Sequence, residues 1–189
     1  MKTLLVLYAT RDGHTARIAE RLVAAIHTHG HAADLMNAAD VPDRFELDLY
    51  DAALLAGSVH AGHHEKELVT FVRQHREELE RMPTAFLSVS LSEAGVEDEK
   101  AAPEKRAKAA ADVHETIQSF LRETGWHPGK IQAVAGALLY TKYNLLVRLL
   151  MKRIAGAAGG STDTEHDHDY TNWAMLDRLV DELVRTWQA

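Results

Sequence analysis

The hexapeptide Thr10-Arg11-Asp12-Gly13-His14-Thr15 stands where an apolar run gives way to a helical pattern. The first backbone N–H groups of a helix have no internal partners, and the helix dipole is positive at that end. A phosphate suits the position. Gly13 permits close backbone approach, and the Thr10 and Thr15 hydroxyls can donate to phosphate oxygens. The spacings GxxxxGK[ST] and GxGxxG are both absent, so this is neither a P-loop nor a dinucleotide fingerprint. The competing reading is a tight strand–helix turn with Asp12 as its cap.

Two other segments carry chemistry-bearing residues. Gly57-Ser58-Val59-His60-Ala61-Gly62-His63-His64 follows an apolar run and reads as a glycine-containing loop. Two of its imidazoles at this spacing can meet a metal. No carboxylate or thiolate stands at a matching position, and no metal site is expected. His60 or His63 can handle protons near neutral pH, or simply lie in solvent. Further on, Leu146, Val147, Leu150, Met151 and Ile154 share one helical face at about 100° per residue. Lys142, Arg148, Lys152 and Arg153 form a basic cluster in an otherwise acidic chain. A basic amphipathic helix can rest on an anionic membrane surface or grip an acidic ligand. It can also pack on its own domain with the cations in water.

The elements that must position these residues alternate. Residues 2–8, 32–36, 52–56, 84–91 and 131–138 read as apolar strands, and 16–27, 67–79, 101–123 and 172–187 as helices. Loops are expected at 57–64 and 90–100. This pattern predicts an α/β fold, a doubly wound five-stranded parallel sheet in the order 2-1-3-4-5. In such sheets ligands bind beyond the carboxyl ends of the strands. A long insertion, about 139–170, interrupts the chain after or within strand five. No linker or repeat divides the single domain over residues 1–189.

Composition narrows the function. The 189 residues carry a formal net charge of -7, which argues against nucleic-acid binding. There is no cysteine, so thiolate chemistry is excluded and redox work needs a bound cofactor. That also fits a cytoplasmic protein. Leu4 to Leu7 is too short for a signal peptide, and Arg11 and Asp12 follow it closely. No stretch reaches the roughly 20 apolar residues of a membrane span.

TRDGHT resembles the flavodoxin phosphate loop [ST]-x-T-G-x-T, with Asp12 where that pattern has threonine. The same TRDG variant, MPTAF.SV, the run GALLY…KY…GG.TDT and the closing YTNW resemble the bacterial quinone-linked protoporphyrinogen oxidases over nearly the whole chain. The resemblance implies a flavodoxin-like fold and an FMN cofactor. It implies that Thr10 to Thr15, Gly57, Ser58, Val59, His60, Ala61, Gly62, Ser88, Val89, Ser90, Leu91, Thr162, Asp163 and Thr164 border the FMN. In that family six electrons pass from protoporphyrinogen IX to menaquinone or ubiquinone at the cytoplasmic face of the cell membrane, which implies a peripheral membrane protein. Tyr140, Lys142, Tyr143, Arg148, Lys152 and Arg153 are then expected at the substrate or the membrane, and no residue is marked as a catalytic base. The segment from Glu93 to Glu99 is acidic, a departure that leaves substrate carboxylates to the basic residues of the insertion. Electron carriers of this fold usually cover the flavin with aromatics. Neither 57–64 nor 90–100 contains Trp or Tyr, which suits an enzyme that lays a flat substrate on the ring. The rivals are a flavodoxin-type carrier and an NAD(P)H:quinone reductase. A receiver-like domain is set aside, because Gly57-Ser58 stands where it would need a phosphoacceptor aspartate.

Overall fold

A computed structural model describes residues 1–142 and 163–188. Strands β1 (Thr3–Ala9), β2 (Ala32–Asn37), β3 (Ala52–His60), β4 (His63–His64), β5 (Thr84–Ser90) and β6 (Lys130–Ala135) build one sheet. β7 (Ala137–Leu138) and β8 (His168–Asp169) form a separate antiparallel pair. The main order is β2-β1-β3-β5-β6, parallel at every step, with β4 folded back on β3. Counting only the parallel strands, this is the expected 2-1-3-4-5 arrangement.

Strand side chains alternate between faces, so a sheet covered on both sides needs apolar residues at successive positions. Leu4 and Val6 of β1 join Leu54, Leu87 and Val134 on one face. That face is closed by α1 (His14–Thr28) and by the last helix, α6 (Trp173–Gln188). Leu5 and Leu7 join Leu55 and Phe86 on the other, beneath α2 (Lys66–Gln74) and α5 (Pro103–Thr124). α6 belongs there because Leu176, Leu179, Val180, Leu183 and Val184 recur on one side and are buried. Each such side chain contributes roughly 1.5–3 kcal/mol of transfer free energy.

Four boundaries differ from the sequence reading, each for a local reason. β3 runs on past Ala56 to His60 and reverses through Ala61 (φ 50) and Gly62 (φ 82) into β4. Two consecutive positive-φ residues are what a tight two-residue hairpin turn demands, so the expected loop at 57–64 is a hairpin. The helix expected over 67–79 divides at His75 into α2 and α3 (Arg76–Leu79). The expected loop after β5 holds α4 (Leu91–Glu97), whose first turn is capped by Ser90 Oγ accepting from Glu93 N. The fifth strand breaks at Gly136, whose N–H donates to the Ser90 carbonyl while its own carbonyl accepts from Tyr170 N.

That break steers the chain out of the sheet and pins both ends of the insertion together. Ala137 pairs with Asp169, and Leu138 with His168. Just beyond, Thr141 N and Oγ1 both donate to the Asp167 carboxylate, at 2.9 and 2.8 Å.

Candidate functional site

The carboxyl ends of β1, β3, β5 and β6 converge on one open cleft of about 500 Å³, its mouth included. Thr10, Arg11, Asp12, His14 and Thr15 supply one wall; Ser58, Val59 and His60 a second; Val89, Ser90 and Leu91 a third. Three segments far apart in sequence are thus brought together, as the strand order requires. Glu65, Gly136 and Ala137 complete the lining and were not marked by sequence reasoning.

The first wall has features that suit an anion. α1 starts from Gly13 at φ 87, and no side chain caps that end. Its opening residues, His14 and Thr15, line the cleft, and their N–H groups meet no side-chain cap. The Thr10 hydroxyl oxygen accepts from Gly13 N at 3.0 Å, which holds the turn and leaves the Thr10 proton to donate. Asp12 stays on the cleft wall.

Arg11 crosses to the second wall. One of its guanidinium nitrogens donates to Glu65 Oε2 at 3.2 Å, and Ser58 Oγ donates to Glu65 Oε1 at 3.1 Å. Glu65 is only 7% exposed and immediately precedes α2, where a helix dipole favours a carboxylate. Its only sequence signal was position: an acid at the start of an amphipathic helix.

His14 engages the segment that returns from the insertion. Its Nε2 lies 2.7 Å from Thr171 Oγ1, and Thr171 Oγ1 donates to the Ala135 carbonyl at 2.8 Å. A hydroxyl has one proton, so the imidazole must donate from Nε2. Asp169 stands 3.6 Å from the same nitrogen and 3.9 Å from Arg17 NH1. Trp173 meets the His14 ring edge-on at 6.0 Å, and Arg17 lies over Trp173. Nothing in the sequence linked His14 to Thr171.

Gly57 and Ser88 sit behind the cleft rather than in its lining. A Cβ on Gly57 would come within 2.5 Å of Leu68 Cδ2 and 3.2 Å of His64 Cδ2, so helix packing alone demands glycine here. Ser88 Oγ lies 2.9 Å from His64 Nε2. His64 is buried among Phe86 and Phe120, with ring centroids at 5.2 and 4.8 Å. Burial, with the charge of His63 second, pushes its pKa down to about 4. Ala61 and Gly62 form the hairpin turn outside the cleft.

Other expected residues lie elsewhere. Tyr140, expected at the substrate, is fully buried beside Leu138, with Leu91 and Tyr170 against it. It is a core residue of the insertion's root, and burial raises its phenol pKa. Asp163 accepts from Glu165 N and pairs with His166 Nδ1, both at 3.0 Å, and the backbone bond holds its carboxyl below the usual range. Neither Asp163 nor Thr164 is in the cleft lining. Lys142 closes a 3-10 turn over Tyr140–Lys142. Tyr143, Arg148, Lys152, Arg153 and Thr162 fall outside the described residues, as does the amphipathic face from Leu146 to Ile154.

Sheet order, cleft position and uncapped helix start define a flavodoxin-type domain. Residues 5–165 match the family model described as a flavodoxin domain. Similar solved structures include a flavodoxin from the domain Archaea (TM-score 0.52, 13% identity, 99% of each chain covered). Oxidised Flavodoxin 1 from Bacillus cereus is another (TM-score 0.53, 13% identity, 97% of each chain). Identities this low speak for the fold alone. Among curated proteins, the chain is 32% identical to protoporphyrinogen IX dehydrogenase (quinone) of Escherichia coli (strain K12) over 184 residues, 97% of this chain and 95% of the relative. It is 31% identical to the protein of the same name from Leishmania major over 181 residues, 95% of this chain and 74% of the relative. The chain belongs to the protoporphyrinogen IX dehydrogenase (quinone) family, flavoprotein oxidoreductases built on a flavodoxin domain. Among the described residues no helix is long and apolar enough to cross a membrane.

Proposed function

We propose that the cleft holds FMN and that the protein oxidises protoporphyrinogen IX to protoporphyrin IX, with a membrane quinone, menaquinone or ubiquinone, as electron acceptor. The observation that carries this reading is the start of α1, free of a side-chain cap, opening into a cleft whose lining contains no Trp or Tyr among the described residues. When bound, FMN supplies the two-electron redox chemistry.

The chain's own residues do the rest. The α1 amides and the Thr10 and Thr15 hydroxyls hold the phosphate. Arg11 stands beside it as a cation already paired with Glu65, which limits the surplus positive charge near the cofactor. His60, Val59 and Leu91 border the ring and leave room for a flat macrocycle. Lys142, Arg148, Lys152 and Arg153 pair with substrate propionates or with anionic lipid headgroups, and Tyr143 meets the macrocycle. The protein thereby works as a peripheral protein at the cytoplasmic membrane face. Each turnover takes two electrons and two protons from the porphyrinogen, and the quinone accepts those two electrons and two protons on becoming a quinol.

The test is anaerobic. Protein reconstituted with FMN is mixed with protoporphyrinogen IX and a menaquinone analogue while porphyrin fluorescence is followed. The expected result is fluorescence growth that requires both FMN and quinone. Tight FMN binding with no porphyrin formed above the uncatalysed rate would overturn the proposal.

A further inference from the structure

Beside the cleft lies a second open groove, about 900 Å³ with its mouth, between the β3–β4 hairpin, α4 and α5. We propose that this groove is the subsite for the carbonyl-bearing ring of the quinone. The inference rests on the function proposed above, and three observations carry it.

The first is continuity. Val59 and Ser90 line both the cleft and the groove, so the two sites adjoin.

The second is charge. Asp112 and Glu115 stand on the groove wall. Their cationic partners, Lys108 at 3.1 Å and Arg122 at 2.6 Å, are not in the lining. A ligand with carboxylates would meet two carboxylates there, so the groove rejects the propionates of a porphyrinogen. A neutral ring meets no such opposition.

The third is the supply of donors. Ser92 and Ser119 are half-buried in the lining, and their hydroxyls make no hydrogen bond with other described residues. Ser90 Oγ already accepts from Glu93 N, so its proton is free to donate at the wall shared by both sites. His63 adds a ring N–H at the rim. A quinone is flat, uncharged and an acceptor at both carbonyls, which complements such a wall. The two redox partners are thereby sorted by charge into neighbouring places.

Binding is read on oxidised, FMN-loaded protein by calorimetric titration, with menadione as the neutral probe and 1,2-naphthoquinone-4-sulfonate as the anionic one. Menadione is expected to bind about tenfold tighter than the sulfonate, a difference that shrinks in the Asp112→Asn/Glu115→Gln double variant. Ser119→Leu should weaken menadione binding about tenfold, and the milder Ser92→Ala about threefold. Neither should change FMN affinity or the KM for protoporphyrinogen IX. Menadione affinity unaltered by both serine variants, or a porphyrinogen KM that rises in step with it, would overturn the assignment. Serine-sensitive menadione binding in a protein that forms no porphyrin would leave the groove standing and remove the proposed function instead.

Discussion

His14 and His64 invite comparison, because both are buried and both meet a hydroxyl through Nε2, on opposite faces of the sheet. His14 sits among polar company. Thr171 relays its bond to the Ala135 carbonyl, and Asp169 and Arg17 stand close by. It ties the start of α1 to the end of β6 and to the chain returning from the insertion. His64 has Ser88 on one side and the rings of Phe86 and Phe120 around it. It fills space behind the cleft as a neutral heterocycle. Equal burial thus gives two devices, one a link between elements and one a piece of core, and the neighbours decide which.

The largest effect should come from testing the core histidine. The folded-state pKa of about 4 lies below the ordinary 6.5, so the folded state resists a proton that the unfolded chain accepts. Stability from this source is full above about pH 6.5 and is lost as the pH falls toward 4, amounting to about 3 kcal/mol. Urea unfolding of wild type and His64→Leu at pH 7.5 and at pH 4 should show the variant losing less by that amount. Parallel losses would remove the distinction between the two histidines. Next in size is the linking histidine. Thr171→Val removes the hydroxyl that joins the His14 N–H to the Ala135 carbonyl, which should cost about 2 kcal/mol, and Thr171→Ser should restore it. A neutral result for Thr171→Val in equilibrium denaturation would reduce His14 to packing as well. The smallest effect belongs to the rim of the same cluster. Arg17→Ala removes an exposed cation from the Trp173 face at a cost of about 0.5 kcal/mol, measurable as a slight fall in midpoint.

What the sequence displayed and what it hid follow from the range of the forces involved. The parallel sheet was legible because Leu4 to Leu7, Ala52 to Ala56 and Ala85 to Leu87 are buried on both faces and must be apolar throughout. The turn from β1 into α1 at the cleft was legible because its signals are local: one glycine, two threonines and a helix start. The onward run of β3 was not, since Gly57 and Ser58 look like loop residues and only packing against Leu68 and His64 explains the glycine. α4 was missed because its seven residues include Gly95 and two glutamates and show no apolar stripe. Glu65 and Thr171 owe their places to partners at sequence separations of 54 and 157, beyond the reach of any spacing rule. Tyr140 misled for the converse reason: a tyrosine beside Lys142 and Tyr143 reads as a ligand contact, and tertiary contact buries it.

The two-rung ladder between β7 and β8 has a consequence for how such a molecule can change over generations. Leu138 and His168 face each other in hairpin register, about 5 Å apart. To the rest of the sheet, everything between them is a closed loop, and closing a longer loop costs only logarithmically more. A lineage can therefore lengthen, trim or exchange that stretch without shifting a single core strand. The flavin-bearing body and its appendage are free to diverge at separate tempos, and the seam between them is a natural place to splice a foreign segment.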